Sequence, residues 1–247
     1  MANLVIDIGN SFTKIAVFQQ DELLHTDQFS AVSAEDILKL ADRHSVSNAI
    51  ISSVKKDAEA WGNDLAKKLK LKYFNTGMTA GISNQYKTPQ TLGPDRLAAV
   101  IGAYKLYPGK SNLVIDAGTA ITYDMIDAGG NYFGGSISPG LNMRYKALNY
   151  YTEALPLLNA DATFERNYGD DTESAIRSGV QNGIKYELNG FIESYNEDQQ
   201  ELNIILTGGD CKFFDTLLKN SIFAPYIKNE PYLVLKGLNA AIQDNND

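Results

Sequence analysis

The sequence predicts an α/β protein built as two duplicated halves. Three observations carry that prediction. First, residues 3–13, NLVIDIGNSFT, return at 112–122 as NLVIDAGTAIT, and Asn3–Gly9 differs from Asn112–Gly118 at one position, Ile8 against Ala117. Second, each copy is an apolar, β-branched run ending in Asp-x-Gly, followed by a second strand-like run, Lys14–Phe18 and Thr122–Ile126. That pattern is a β-hairpin with a carboxylate and exposed backbone N–H groups at its tip, where Gly lets the backbone approach a ligand. Third, helix and strand patterns alternate after the first hairpin, which is the α/β arrangement.

Taken in order, Asp21-Glu22 reads as a turn and Leu23–Phe29 as a strand. Ser33, with Asp36 three residues on, reads as the N-cap of a helix over Ala34–His44. Ala49–Val54 is a β-branched strand, and Ala58, Trp61, Leu65 and Leu69 recur as one helix face before a short strand at Leu71–Phe74. Residues 75–92 show no helix or strand period, and a loop of that length in a compact domain is often functional. Gly93-Pro94-Asp95-Arg96 then opens a helix through Tyr107, with Pro at the first helical position. Pro108-Gly109-Lys110 ends it, so the domains are 1–108 and 109–247.

In the second half, Asp127–Asn131 is a turn, Tyr132–Ser136 a strand and Pro139–Asn149 a helix. Residues 150–169 are irregular. Asp171-Thr172-Glu173 starts one long helix to about Tyr195, and Leu202–Thr207 is a buried strand that delivers Gly208-Gly209-Asp210. Asp210 is placed to cap a helix to Lys219, the last helix covers about Pro231–Gln243, and Asp244–Asp247 should fray.

Composition narrows the function class. A chain of 247 residues buries a full core without staples. A single cysteine, Cys211, excludes an internal disulfide framework and a multi-cysteine zinc site, as expected for a cytoplasmic protein. A net charge of −8 and a pI near 4.8 argue against nucleic-acid and membrane partners. No apolar run is long enough to span a bilayer, and the N-terminus carries no basic-then-apolar signal segment.

Two carboxylate-bearing tips are suited to a nucleotide held between facing halves. Turn N–H groups take up phosphate, and the two aspartates suit metal ions on those phosphates. Lys14, just after the first tip, is a cation placed to meet phosphate oxygens, although taken alone it reads as an ordinary strand lysine. Asp95 and Arg96, at the end of the long loop, offer a base and an anion clamp, although an acidic first helical turn is also ordinary dipole compensation. Arg144 and Arg177 are further candidate cations. His25 and His44 stand alone in the sequence, and Cys211 has no nearby His to activate it as a nucleophile.

Together these residues resemble the actin-like ATPase superfamily, and within it the type III pantothenate kinases. The matching stretches are Asp7-Ile8-Gly9-Asn10-Ser11 through Lys14, Gly93-Pro94-Asp95-Arg96, Asp116-Ala117-Gly118-Thr119, Gly134-Gly135 with Pro139-Gly140, and Thr207-Gly208-Gly209. The resemblance implies two actin/ribonuclease-H-like α/β halves with the active site in the cleft between them. It implies ATP-dependent phosphorylation of pantothenate, the first step towards coenzyme A, by a homodimer. By the same resemblance, Asp7, Ile8, Gly9, Asn10, Ser11, Phe12, Thr13, Lys14 and Thr119 bind ATP, and Asp95 is the proton acceptor. Tyr86, Gly93, Pro94, Arg96 and Thr172 line the pantothenate site. Asp116 ligates a monovalent cation, K⁺ or NH₄⁺, beside the Mg²⁺ that accompanies ATP. Ser11 stands where many members have Thr and keeps the hydroxyl. Pro94 replaces the commoner Ala.

Apolar residues on several sides of the 172–195 helix (Ala175, Ile176, Val180, Ile184, Leu188, Phe191 and Ile192) add a second ground for a dimer. Two alternatives share the nucleotide site: a superfamily kinase acting on another small hydroxylated acid, and a non-enzymatic, ATP-binding regulatory protein.

Overall fold

The computed structural model describes residues 2–53, 59–197 and 202–244, without the side chains of residues 59 and 60. The chain separates into two compact units. One comprises Met1–Gly109, Ile126–Phe133 and Tyr232–Asp247, and the other Lys110–Met125 and Gly134–Pro231.

In the first unit the elements are β1 (Ala2–Ile8), β2 (Thr13–Gln19), β3 (Glu22–Phe29), α1 (Ala34–Arg43), β4 (Val46–Ser53), α2 (Glu59–Ala66), β5 (Lys70–Tyr73), β6 (Ser83–Asn84) and α3 (Pro94–Leu106). The sheet order is β3-β2-β1-β4-β5, with β1 antiparallel to β2 and parallel to β4. Because side chains alternate along a strand, one face carries Leu4, Ile6, Val17 and Ile51, packed with Ile37 and Ala41 of α1 and with Leu65. The opposite face meets α3 and the last helix of the chain. In α3 every residue from Arg96 to Ala103 is buried, as suits a helix enclosed on all sides. The expected hairpin, the Ser33 cap with its 3.2 Å bond from the Asp36 N–H, and the Pro94 helix start are all present. Val54 and Ala58, expected in a strand and on a helix face, lie outside the described residues, as do 245–247 of the stretch expected to fray, whose first residue, Asp244, instead belongs to the last helix. Leu69 lies beyond the end of α2 but is still buried.

In the second unit β7 (Ser111–Ala117), β8 (Ala120–Ile126), β9 (Asn131–Pro139), β10 (Leu202–Thr207) and β11 (Ile227–Asn229) run in the order β11-β10-β7-β8-β9. The helices are α4 (Leu141–Tyr150), α5 (Thr172–Arg177), α6 (Gly183–Glu197) and α7 (Cys211–Leu218), and α8 (Leu233–Asp244) belongs to the first unit. The apolar faces of β7 and β10 (Leu113, Ile115, Ile204, Leu206) pack with Leu188 and Phe214 in one core.

Several expectations need correction. β9 runs on through Pro139, so α4 begins at Leu141 rather than at Pro139. The single helix expected after Asp171 is three pieces, α5, a π-helical turn at Ser178–Asn182 and α6. Of its apolar residues, Ile176, Val180, Ile184, Leu188 and Ile192 enter the unit's own core and Phe191 packs against it, while Ala175 is exposed. Residues four apart drift about 40° per step around a regular α-helix. The wider π-turn removes part of that drift and keeps all five on one side. Asp210 stands at the N-cap of α7 but its side chain makes no cap hydrogen bond. The loop at 75–92 contains β6 and a 3₁₀ turn at Pro89–Thr91.

Candidate active site

In the first unit the site is built on the ends of β1, β2 and β4. The tip closes through the Gly9 N–H, which donates to Phe12 O at 3.0 Å, and it exposes Asn10, Ser11 and Phe12. Asp7 lies one residue before the end of β1, with Lys14 directly opposite on β2 and Ser52 in register on β4. Lys14, Asp7 and Ser52 therefore form a row across three strands, on the face opposite Ile6 and Ile51. Burial pushes the Asp7 carboxyl up to about 6. Lys14 opposes that shift, the charge of Asp95 adds to it, and the Ser52 hydroxyl opposes it least. The Ser52 hydroxyl makes no hydrogen bond of ordinary geometry among the described residues, yet lies close enough to Asp7 to exert this pull. The structure thus brings Lys14 and Asp95 each within electrostatic reach of Asp7.

Asp95 and Arg96 open α3. The Asp95 Oδ1 accepts the Arg96 N–H at 2.9 Å. Gly93, the N-cap, has an ordinary backbone conformation (φ −58°), but a Cβ there would stand 2.5 Å from Asp95 Oδ1. Arg96 is buried, 6% exposed, with its guanidinium carbon 5.6 Å from the centre of the Tyr86 ring, within cation–π range. Tyr86 stacks in turn on Tyr132, centroids 6.3 Å apart and planes 7° apart. The short parallel pairing of β6 with Asn131 and Tyr132 anchors this end of the loop, helped by the Gln85 N–H donating to Tyr132 O at 2.8 Å. Tyr132 carried no local signal of this role, because its partner lies 46 residues away.

In the second unit Asp116 is half-buried near the end of β7, in register with Thr207 of β10. A side chain at Gly208, whose φ is +91°, would collide with the Asp116 carboxylate and the Ala117 carbonyl. The Asp210 N–H donates to Ala117 O at 2.9 Å and ties this turn to the hairpin. Thr119 is exposed at the second tip, where its carbonyl accepts the Gly140 N–H at 3.2 Å. Thr172 is exposed at the first position of α5, behind a reciprocal cap between Asp171 and Ser174.

Other candidates resolve differently. The Arg144 guanidinium pairs with Glu187, which also accepts from Tyr123 at 2.8 Å and Ser138 at 3.1 Å, so Arg144 is committed to a structural network. Arg177 pairs with Glu173 at 3.3 Å. Cys211 is buried, and burial pushes its thiol above the ordinary range. His25 is satisfied by Asp27 at 2.7 Å, as expected of a structural histidine, and its ring lies 5.4 Å from that of His44. Gln181 is a buried group the sequence did not flag. It sits in the π-turn, accepts from Tyr145 Oη and the Asp161 N–H, and donates to Asp161 O, each at 2.9 Å.

Among the described residues no group of three or more His, Cys, Asp or Glu side chains is placed to hold a metal. One buried carboxylate beside an unpartnered hydroxyl fits a hydrated Mg²⁺, which keeps most of its water and binds chiefly through phosphate.

Solved structures with the same architecture include the activator of 2-hydroxyisocaproyl-CoA dehydratase from Clostridium difficile with bound ADPNP (TM-score 0.59, 10% identity, 100% of this chain and 96% of that one). Another is component A of (R)-2-hydroxyglutaryl-CoA dehydratase from Acidaminococcus fermentans (TM-score 0.56, 12% identity, 98% and 97%). At such identities the likeness concerns the fold alone, and the fold is that of the actin-like ATPases and sugar kinases. The family model for type III pantothenate kinase matches residues 3–194. Type III pantothenate kinases of Phocaeicola vulgatus and Christiangramia forsetii are 45% and 43% identical, each over 98% of both chains. The chain belongs to the type III pantothenate kinase family.

Proposed function

We infer that this chain transfers the γ-phosphoryl group of ATP to pantothenate, giving 4'-phosphopantothenate in coenzyme A biosynthesis. The observation that carries the reading is the placing of Asp95, within electrostatic reach of Asp7, next to buried Arg96 at the start of α3. Phosphoryl transfer needs positioning and charge neutralisation more than covalent chemistry by the protein. Asp95 accepts the proton of the pantothenate primary hydroxyl as its oxygen bonds to the γ-phosphorus, and the bond from that phosphorus to the bridging oxygen breaks to release ADP. Arg96 clamps the pantothenate carboxylate, Tyr86 holds Arg96 in place beside Gly93 and Pro94, and Thr172 is assigned to pantothenate by the family resemblance alone. The tip from Asp7 to Lys14 supplies N–H groups and one ammonium to the phosphates, and Thr119 adds a further ATP contact.

Asp7 would hold, through water, the Mg²⁺ that accompanies ATP, and the ion would supply charge neutralisation at the phosphates. Asp116 would ligate K⁺ or NH₄⁺, a role suited to a half-buried carboxylate close to the Ala117 carbonyl. The functional halves are 1–108 and 109–247, and the active form is a cytoplasmic homodimer. Exposed apolar side chains on the second unit, among them Ile137, Tyr150, Tyr151 and Tyr186, support the dimer. No helix among the described residues is long and apolar enough to cross a membrane.

ADP release measured with and without pantothenate tests the reading. Release that depends on pantothenate is expected. Slow release indifferent to any acceptor would instead mark an ATP-binding regulatory protein. Response to another small hydroxylated acid alone would mark a different kinase of the same fold.

A further inference from the structure

We propose that Ser52 is a positioning residue for the metal–nucleotide complex: its hydroxyl, beside the Asp7 carboxylate, holds a water of the Mg²⁺ shell. Ser52 is 1% exposed, and its Oγ is buried with no hydrogen-bond partner among the described residues. A buried hydroxyl in that state destabilises the fold, and such a group in a native structure usually awaits a water, an ion or a ligand. Its position says which. Ser52 pairs in register with Asp7, so both side chains leave the same face of the sheet, in a row with Lys14. The neighbouring in-register pair, Ile6 with Ile51, points into the apolar core instead. The orphaned hydroxyl therefore stands on the chemically equipped face, at the carboxyl ends of two parallel strands, with the charges of Asp7 and Asp95 near by. An unpaired hydroxyl can donate to one oxygen and accept from another, which suits a metal-bound water shared with a carboxylate.

The inference rests on the reading of Asp7 as the residue that meets hydrated Mg²⁺, and the test separates the two. The affinity of ADP is measured by calorimetry with Mg²⁺ and again with EDTA, for the parent protein, Ser52→Ala and Asp7→Asn. The ratio of the two affinities reports coupling to the metal without reference to turnover. Ser52→Ala should reduce that ratio about 3- to 10-fold, the worth of one hydrogen bond, and leave the affinity in EDTA unchanged. Its melting temperature without ligand should equal or exceed that of the parent, because an unsatisfied group has been removed. A Ser52→Ala ratio equal to the parent's, while Asp7→Asn loses the coupling, would overturn the role of Ser52. Unchanged ratios in both variants would overturn the Asp7 reading itself, and the inference with it.

Discussion

The carboxylate of Asp95 occupies the space that a side chain at Gly93 would fill, since a Cβ there would stand 2.5 Å from Oδ1. Gly93 has φ −58°, which any residue adopts, so its lack of a side chain matters for room and not for backbone freedom. Gly93→Ala should therefore fold normally and displace Asp95. Misplacing a catalytic group by about 1 Å can lower turnover about 100-fold. A fall of roughly 10- to 100-fold with little change in melting temperature is expected, measured by steady-state kinetics and thermal melts.

The buried Asp7 carboxyl makes the stability of the ligand-free protein depend on pH. Its folded pKa, about 6, lies above its ordinary value of 3.8. The group's favourable contribution is complete below pH 3.8 and is lost as pH rises through 6, because the unfolded chain gives up the proton first. Asp7→Asn removes this pH dependence. The variant should be more stable than the parent at pH 7, by an amount on the order of 1–3 kcal/mol, and the gap should close towards pH 4. Urea melts at a series of pH values without metal or nucleotide check this. A gap that does not vary with pH would contradict the assignment.

Much of this arrangement is legible in the sequence where the cause is local. A β-branched run ending in Asp-x-Gly announces its own hairpin, and Pro94 and Ser33 mark their own helix starts. Other features depend on partners far along the chain. β6 is two residues long and exists through its pairing with Asn131 and Tyr132. Helix α8 joins the first unit because Gly102 and Gly237 let two backbones touch: a Cβ at Gly102 would stand 2.5 Å from Leu233 O, and one at Gly237 would overlap Ala98 O. A 3.6-residue period shows neither that contact nor the π-turn. Within the site, the acidic, basic and glycine residues were visible as motifs. Ser52 was not, because a serine closing a buried strand looks like any other until its register with Asp7 is known.

Gln181 pins the irregular stretch after α4 to the π-turn through three hydrogen bonds of 2.9 Å. Gln181→Ala leaves the Tyr145 hydroxyl and both Asp161 backbone groups without this partner. A loss of about 1–3 kcal/mol is expected for an unsatisfied buried group. Urea denaturation measures it, and limited proteolysis should show faster cutting within residues 150–169.

The proposed monovalent-cation role of Asp116 has a simple test. Activity in K⁺ should exceed activity in Na⁺ at equal ionic strength, and Asp116→Asn should abolish the difference. Equal parent rates in the two salts would remove the assignment.

The central claim is that Asp95 takes the proton of the pantothenate hydroxyl. Asp95→Asn keeps the shape and still forms hydrogen bonds, but cannot accept the proton. The most direct measurement is the turnover of this variant at saturating ATP and pantothenate, with its melting curve and ATP affinity taken alongside. A loss of about 10²–10⁴-fold in turnover, with ATP affinity unchanged and the fold intact, is expected. If Asp95 served only to complement the dipole of α3, the variant would lose about 0.3–1 kcal/mol of stability and keep near-normal turnover, and that result would contradict the account.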